Sequence, residues 1–145
     1  MAEAYLKSKA PGRFHAESAG SRPAARVNPL AIDTLRRHNI PWDGHAPRSV
    51  EPLETQDWDF VITVCDRAKE SCPIFPGHPV MAHWGMEDPA EVQGSDTVRL
   101  RAFDHAFLTI ARRIDLLLAL PVEKLERLAL EARVRAIGDA TATPL

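Results

Sequence analysis

Residues 59–65 read Asp-Phe-Val-Ile-Thr-Val-Cys, and seven residues later Cys72 supplies the second of the chain's two cysteines. Phe60 to Val64 is a nearly continuous apolar run rich in β-branched side chains. Such a run predicts a short strand covered on both faces, as in a parallel sheet. Val80 to Trp84 predicts a second short strand, and residues 66–79 between them, with three prolines and one glycine, read as loop. Cys65 falls at the carboxyl edge of the first strand.

Outward from this pair the chain alternates strands and helices. Ala2, Glu3, Ala4 and Lys7 favour helix. Met1, Tyr5 and Leu6 share one face, and Pro11-Gly12 ends the segment. Arg13 to Ala19 is a weak strand candidate closed by Gly20. Asn28-Pro29 is a helix start, an N-cap followed by proline at the first helical position, with Leu30, Thr34 and Leu35 inward and an end at Asn39. Ser95 or Asp96 caps the longest helix, whose Leu100, Phe103, Phe107, Ile110, Ile114 and Leu117 recur every three or four residues. Pro121 opens a further helix, 121–137, with Leu125, Leu128, Ala129 and Ala132 inward and Gly138 as terminator; residues 139–145 read as a flexible tail. This order predicts a single three-layer α/β domain over 1–138, a parallel sheet flanked by helices. Ligands of such sheets bind beyond the carboxyl ends of the strands, the rim that Cys65 and the 85–90 loop both reach.

Composition narrows the function. Apolar residues make up 45% and charged residues 26%, the balance of an ordinary globular chain rather than a disordered one. The formal charge is -2 with signs well mixed, so no basic face for nucleic acid is predicted. The longest uncharged apolar run, Leu116 to Leu120, is too short to span a bilayer. Residues 1–13 hold no apolar signal core, and the expected location is the cytoplasm. A lasting disulfide is not expected there.

The cysteine spacing leaves three roles open. Cys-x6-Cys does not match the short spacing of common structural zinc sites, although His78 and His83 would complete a four-ligand set on paper. Two unremarkable thiols, one or both buried, are the simpler reading. A redox pair needs an exposed thiol with a lowered pKa, to which Arg67 and Lys69 would contribute and which Asp66 and Glu70 would oppose. Asp88-Pro89 offers an aspartate on a loop above a strand edge, a candidate general acid or a solvated turn residue. Trp84 packs that loop or fills core, and His83 is a satisfied histidine or a proton shuttle. His45 reads as a surface loop residue. Arg36-Arg37-His38, Arg112-Arg113, Arg133 and Arg135 read as solvated helix faces.

Several stretches coincide with one family. MAEAYL (1–6), SAG (18–20), VNPLAIDTL (27–35), GHAPRS (44–49), DFVITVC (59–65), CDRAKESCPIFPG (65–77), HWGMEDPAE (83–91) and LPVEKLERLALEARVRAIG (120–138) occur in order. The chain resembles the cytosolic arsenate reductases built on the low-molecular-weight protein tyrosine phosphatase fold. The resemblance implies thiol-dependent reduction of arsenate to arsenite. It implies no bound cofactor but an external electron donor: thioredoxin, glutaredoxin or glutathione. It places Cys65 and Cys72 as the thiols that pass a disulfide outward, and Asp88 as the aspartate of the phosphatase general-acid loop. The related phosphatase activity, on phosphotyrosine or small phosphorylated ligands, is the alternative; a non-catalytic binding or regulatory fragment is another.

The same resemblance puts a Cys-x5-Arg-Ser oxyanion loop and the first strand immediately ahead of the residues matching Met1 to Ala4. No cysteine precedes Cys65, and the first helix has no capping residue. The expectation is a first strand missing from the sheet, Met1 as an internal residue of a longer protein, and little turnover by residues 1–145 alone, with arsenate or a phosphate-like oxyanion as substrate once the loop is restored.

Overall fold

A computed structural model of the chain describes residues 1–66 and 70–141. In order they form α1 (Ala2–Lys9), α2 (Pro29–Arg37), β1 (Phe60–Thr63), β2 (Val80–His83), α3 (Asp96–Ala119) and α4 (Arg127–Ile137), with one-turn 3-10 helices at Glu51–Leu53 and Pro89–Glu91. β1 and β2 pair in parallel, Phe60 opposite Val80 through Thr63 opposite His83. Helices flank this sheet, giving the three-layer α/β arrangement expected from the sequence.

Local chemistry sets the helix ends. The Asn28 side chain accepts from the Leu30 N–H at 2.9 Å, with Pro29 first in the helix. At the other end Asn39 takes a left-handed φ of 56°. Ile40 N–H then reaches the Leu35 carbonyl at 2.8 Å and Asn39 N–H the Arg36 carbonyl at 3.0 Å, a Schellman closure. Its apolar contact is supplied by Leu35 and Ile40, both buried. Ser95 caps α3 through Val98 N–H.

The core lies where α3 meets the sheet and the other helices. Phe107, Ile110, Ile114 and Leu117 of α3 join Ala4 and Tyr5 of α1, Leu35 of α2, Val80 and Ala82 of β2, Trp84, and Leu130, Val134 and Ile137 of α4. Each large apolar side chain removed from water this way contributes roughly 1.5–3 kcal/mol. Carbonyls just ahead of β2 and within it do not face solvent alone. Arg127 donates to the Pro79 carbonyl and Arg135 to the Met81 carbonyl, both at 3.2 Å, so α4 covers that edge of the sheet.

Four sequence expectations need correction. β1 is only half-buried along its length, and Val64 beyond it is exposed; its other edge lines an open groove. Arg13 to Ala19 is no strand: the segment's ladder contact is a single parallel bridge, Gly20 to Ser49. The last helix starts at Arg127 rather than 121. Pro121 to Leu125 closes one turn, Leu125 N–H to Pro121 carbonyl, and Glu126 at ψ 148° breaks it. The inward face is therefore Leu130, Val134 and Ile137, while Leu128 is 82% exposed.

The solvated-face reading fails for several basic residues. Arg37 pairs with Asp104 at 2.8 Å, and His38 bonds the same carboxylate while stacking on Phe107 at 4.3 Å, so both fasten α2 to α3. Arg113 is buried, 5% exposed. Its Nη1 donates to the Trp84 and Gly85 carbonyls at 2.7 and 3.2 Å, and its Nε to the Ala140 carbonyl at 3.0 Å. Residues 139–140 of the expected tail are thus held, and 142–145 lie outside the described residues.

Gly138 does end α4, but not by left-handed geometry, since its φ is -58°. A Cβ there would lie 2.7 Å from the His83 carbonyl oxygen and 3.2 Å from the Trp84 ring. Gly138→Ala is expected to cost about 2 kcal/mol, lowering Tm by roughly 6 °C. Gly20→Ala, whose Cβ meets nothing closer than 3.9 Å, should leave Tm within about 2 °C. Thermal unfolding of the two variants checks the contrast.

Candidate functional site

β1 delivers Cys65 two residues past its last paired residue, and the pairing runs on beyond the strands. Trp84 N–H reaches the Thr63 carbonyl at 2.7 Å and Met86 N–H the Val64 carbonyl at 3.2 Å. The turn carrying Cys65 is therefore built on a fixed edge. Neither cysteine is in a disulfide, and both are half-buried. Burial pushes the Cys72 thiol up, opposite to the lowered value an attacking thiol needs at neutral pH. Arg67 and Lys69, the expected source of positive charge, lie outside the described residues.

An open groove of about 930 Å³ runs between residues 13–21 and 57–64, floored by Leu6 of α1 and by Ile110 and Ile114 of α3. His15 stacks on Trp58 and Phe14 contacts Phe60 across it, both at 6.1 Å. Cys72 is on its wall; Cys65 and Asp88 are not among its described lining residues.

His83 resolves as a histidine with both ring nitrogens engaged. Nδ1 lies 2.7 Å from Thr63 Oγ1 and Nε2 lies 3.0 Å from Asp66 Oδ1. Among the described residues no group of three or more possible ligands is placed to hold a metal ion. Asp88 is exposed, and its Oδ1 accepts from Ala90 N–H at 2.9 Å, capping the Pro89–Glu91 turn. Trp84 is core, 2% exposed, with its Nε1–H donated to the Val134 carbonyl at 2.9 Å.

The sequence model described as "Low molecular weight phosphotyrosine protein phosphatase" matches residues 1–128. The chain belongs to the low molecular weight phosphotyrosine protein phosphatase family. Within that family it is similar to an arsenate reductase of Oceanobacillus iheyensis, 33% identical over 114 residues, which are 79% of this chain and 81% of that protein. An arsenate reductase of Bacillus cereus is 34% identical over 101 residues, covering 70% and 75% of the two chains. Among solved structures, the arsenate reductase of Archaeoglobus fulgidus matches with a TM-score of 0.55 and 26% identity over 79% of this chain and 87% of that one.

This family member also holds a charged cluster that the sequence reading missed. Glu3, taken as a helix former, is 4% exposed. Its carboxylate accepts from Lys7 at 2.7 Å, from Ser18 and from Arg48 at 3.4 Å, and faces His45 Nε2 at 3.1 and 3.2 Å. His45 is thus no plain surface residue; it joins the 44–49 loop to α1. Burial raises the Glu3 carboxyl, and the bonds from Lys7, Ser18 and His45 together outweigh it, leaving the group below its ordinary value. The bond to the Ala46 carbonyl raises His45 first, and Glu3 raises it further.

That carbonyl can only accept, so His45 Nδ1 carries a proton. A neutral ring then leaves Nε2 to accept from Arg48 Nη2, 3.0 Å away, while a protonated ring donates Nε2–H to Glu3. A histidine raised by folding stabilises fully below its unfolded pKa, and that stability is lost as pH climbs through the folded value. A depressed glutamate contributes above its unfolded pKa and fails as pH falls. The cluster is therefore strongest at about pH 5–6. Tm should decline as pH rises from about 6 to 8.5, and His45→Gln should flatten that decline. A pH series of thermal melts checks it.

Proposed function

We propose that the protein works as a thiol-dependent arsenate reductase in the cytoplasm, with Cys65 and Cys72 passing oxidising equivalents to an external thiol donor: thioredoxin, glutaredoxin or glutathione. The observation that carries this reading is the placement of two unbridged thiols, one past the carboxyl end of a parallel strand and one on the adjoining groove wall. Membership of the family and similarity to bacterial arsenate reductases support it. Among the described residues no helix is long and apolar enough to cross a membrane.

Arsenate becomes arsenite by taking two electrons. A thiolate displaces one oxygen of the oxyanion as water. A second thiolate attacks that sulfur, a disulfide forms, and arsenite departs with the electron pair. Residues 1–145 hold no Cys-x5-Arg element, so in this reading they supply the relay rather than the first attack. Cys65 takes over the disulfide from the attacking cysteine, Cys72 attacks Cys65, and the donor dithiol reduces the resulting bridge by ordinary exchange. Cys72, raised by burial, must be uncovered to ionise before it attacks.

A phosphatase reading has one observation of its own, Asp88 on an exposed loop, where it would protonate a leaving oxygen. Its Oδ1 currently accepts the Ala90 N–H and caps the Pro89–Glu91 turn.

Arsenate-dependent oxidation of NADPH through thioredoxin and its reductase tests both. Residues 1–145 alone should show no turnover. A version with a Cys-x5-Arg loop joined ahead of Met1 should turn over arsenate, and Cys72→Ser should reduce that at least ~100-fold. Hydrolysis of a phenyl phosphate without arsenate reduction, falling ~100-fold in Asp88→Asn, would overturn the reductase reading.

A further inference from the structure

We propose that His83 is a positioning residue for the Cys65 thiol: its one imidazole clamps Thr63 and Asp66, two residues before and one after Cys65, onto strand β2. The inference rests on the reading of Cys65 and Cys72 as an exchanging pair.

The protonation pattern follows from the partners. The Asp66 carboxylate, 3.0 Å from Nε2, accepts, so Nε2 carries the proton. In the neutral ring Nδ1 is then an acceptor, and the Thr63 hydroxyl at 2.7 Å donates to it. Every polar atom of the imidazole is satisfied by the chain segment that bears Cys65. Thr63 is also opposite His83 in the strand register, so the side-chain bond repeats the backbone pairing at the same level. Asp66 is different: its side chain is 90% exposed, and the sheet gives it no reason to point at β2 apart from His83.

Gly85 leaves the space that the ring fills, since a Cβ there would sit 2.6 Å from His83 Nε2, and Gly138 lets α4 pack against the His83 backbone, where a Cβ would sit 2.7 Å from the carbonyl oxygen. Directly after His83, the carbonyls of Trp84 and Gly85 are held by the buried Arg113. The sequence of supports runs from α3 through Arg113 to the end of β2, from there to His83, and through the ring to both sides of Cys65. Fixing one end of the 65–72 segment limits the orientations Cys65 samples when Cys72 approaches, and such restriction raises the effective concentration of one group against another.

The test equilibrates the full chain with glutathione and glutathione disulfide and quantifies the Cys65–Cys72 bridge by mass spectrometry. In that exchange the two thiols lose two protons and two electrons, an S–S bond forms, and glutathione disulfide becomes two glutathione thiols. Asp66→Ala and His83→Ala should each lower the equilibrium constant for the bridge about tenfold, about 30 mV for a two-electron couple. Asp66→Asn, whose amide oxygen still accepts from Nε2–H, and Thr63→Ser, which keeps the hydroxyl, should stay within about twofold of the parent. The double variant Asp66→Ala/His83→Ala should be no weaker than either single one. Asp66 is solvent-facing, so its variants keep the fold whatever His83→Ala does.

A parent-like constant in Asp66→Ala, a rise instead of a fall, or additive losses in the double variant would overturn the clamp. Loss of the clamp effect with arsenate turnover intact sinks this inference alone. Absence of arsenate turnover by the version carrying the Cys-x5-Arg loop, with the tenfold shifts intact, sinks the functional reading alone.

Discussion

The buried guanidinium of Arg113 is the constraint on which the rest of the structure depends. Three backbone carbonyls, of Trp84, Gly85 and Ala140, take its protons, and the Asp139 carboxylate favours its charge from nearby. Burial works against its charge more than Asp139 favours it, and a buried cation without its hydrogen bonds is costly, so those carbonyls must stay where they are. That requirement joins three parts of the chain that share no secondary structure: the middle of α3, the turn leaving β2, and the residues after α4. It also decides where α4 lies. With Ala140 held, Gly138 packs against the His83 carbonyl and Trp84, and Val134 accepts the Trp84 indole proton. The arginines of α4 then fall opposite the carbonyls just ahead of β2 and within it.

The two ends of the molecule solve the problem of burying charge differently. Around Arg113 a cation is satisfied by neutral carbonyls and contributes rigidity at the strand ends, near the thiols. Around Glu3 a carboxylate is satisfied by a lysine, a serine, a histidine and an arginine from three separate segments. The second arrangement is titratable within the ordinary pH range, because one of its donors is His45. The first is not. A fold built this way has a pH-sensitive flank beside the groove and, behind the strand ends, a guanidinium whose charge stays fixed.

Much of this could be read from the residues. The Asn28-Pro29 start, the three-and-four spacing of α3 and the β-branched run before Cys65 are local signals, and each appears where the sequence placed it. For Cys65 and Cys72 the spacing left three roles open, and only the family resemblance pointed to an exchanging pair. What local pattern could not show is burial of charge. Arg113 follows Arg112, which is exposed, and nothing in the dipeptide distinguishes them; the difference is a carbonyl 27 residues away in sequence. Glu3 likewise needs Ser18, His45 and Arg48 to make sense of its position. His83 could be named as a satisfied histidine or a shuttle, but its partners depend on the strand register. The late start of α4 has the same origin: Pro121 forms one turn, and only Arg13, bonded to the Leu118 and Leu120 carbonyls, shows why α3 ends there and the chain must turn again.

Hydrogen exchange on Arg113→Met is the most direct test of this account. Methionine keeps much of the volume but strands three carbonyls, so unfolding stability should fall by about 3 kcal/mol. The amides of Trp84 and Met86, which pair with Thr63 and Val64, should lose protection beyond that global change, while those of α2 should follow it alone. Parent stability, or uniform loss of protection with no excess at residues 84–86, would contradict the claim that Arg113 holds the strand ends in place.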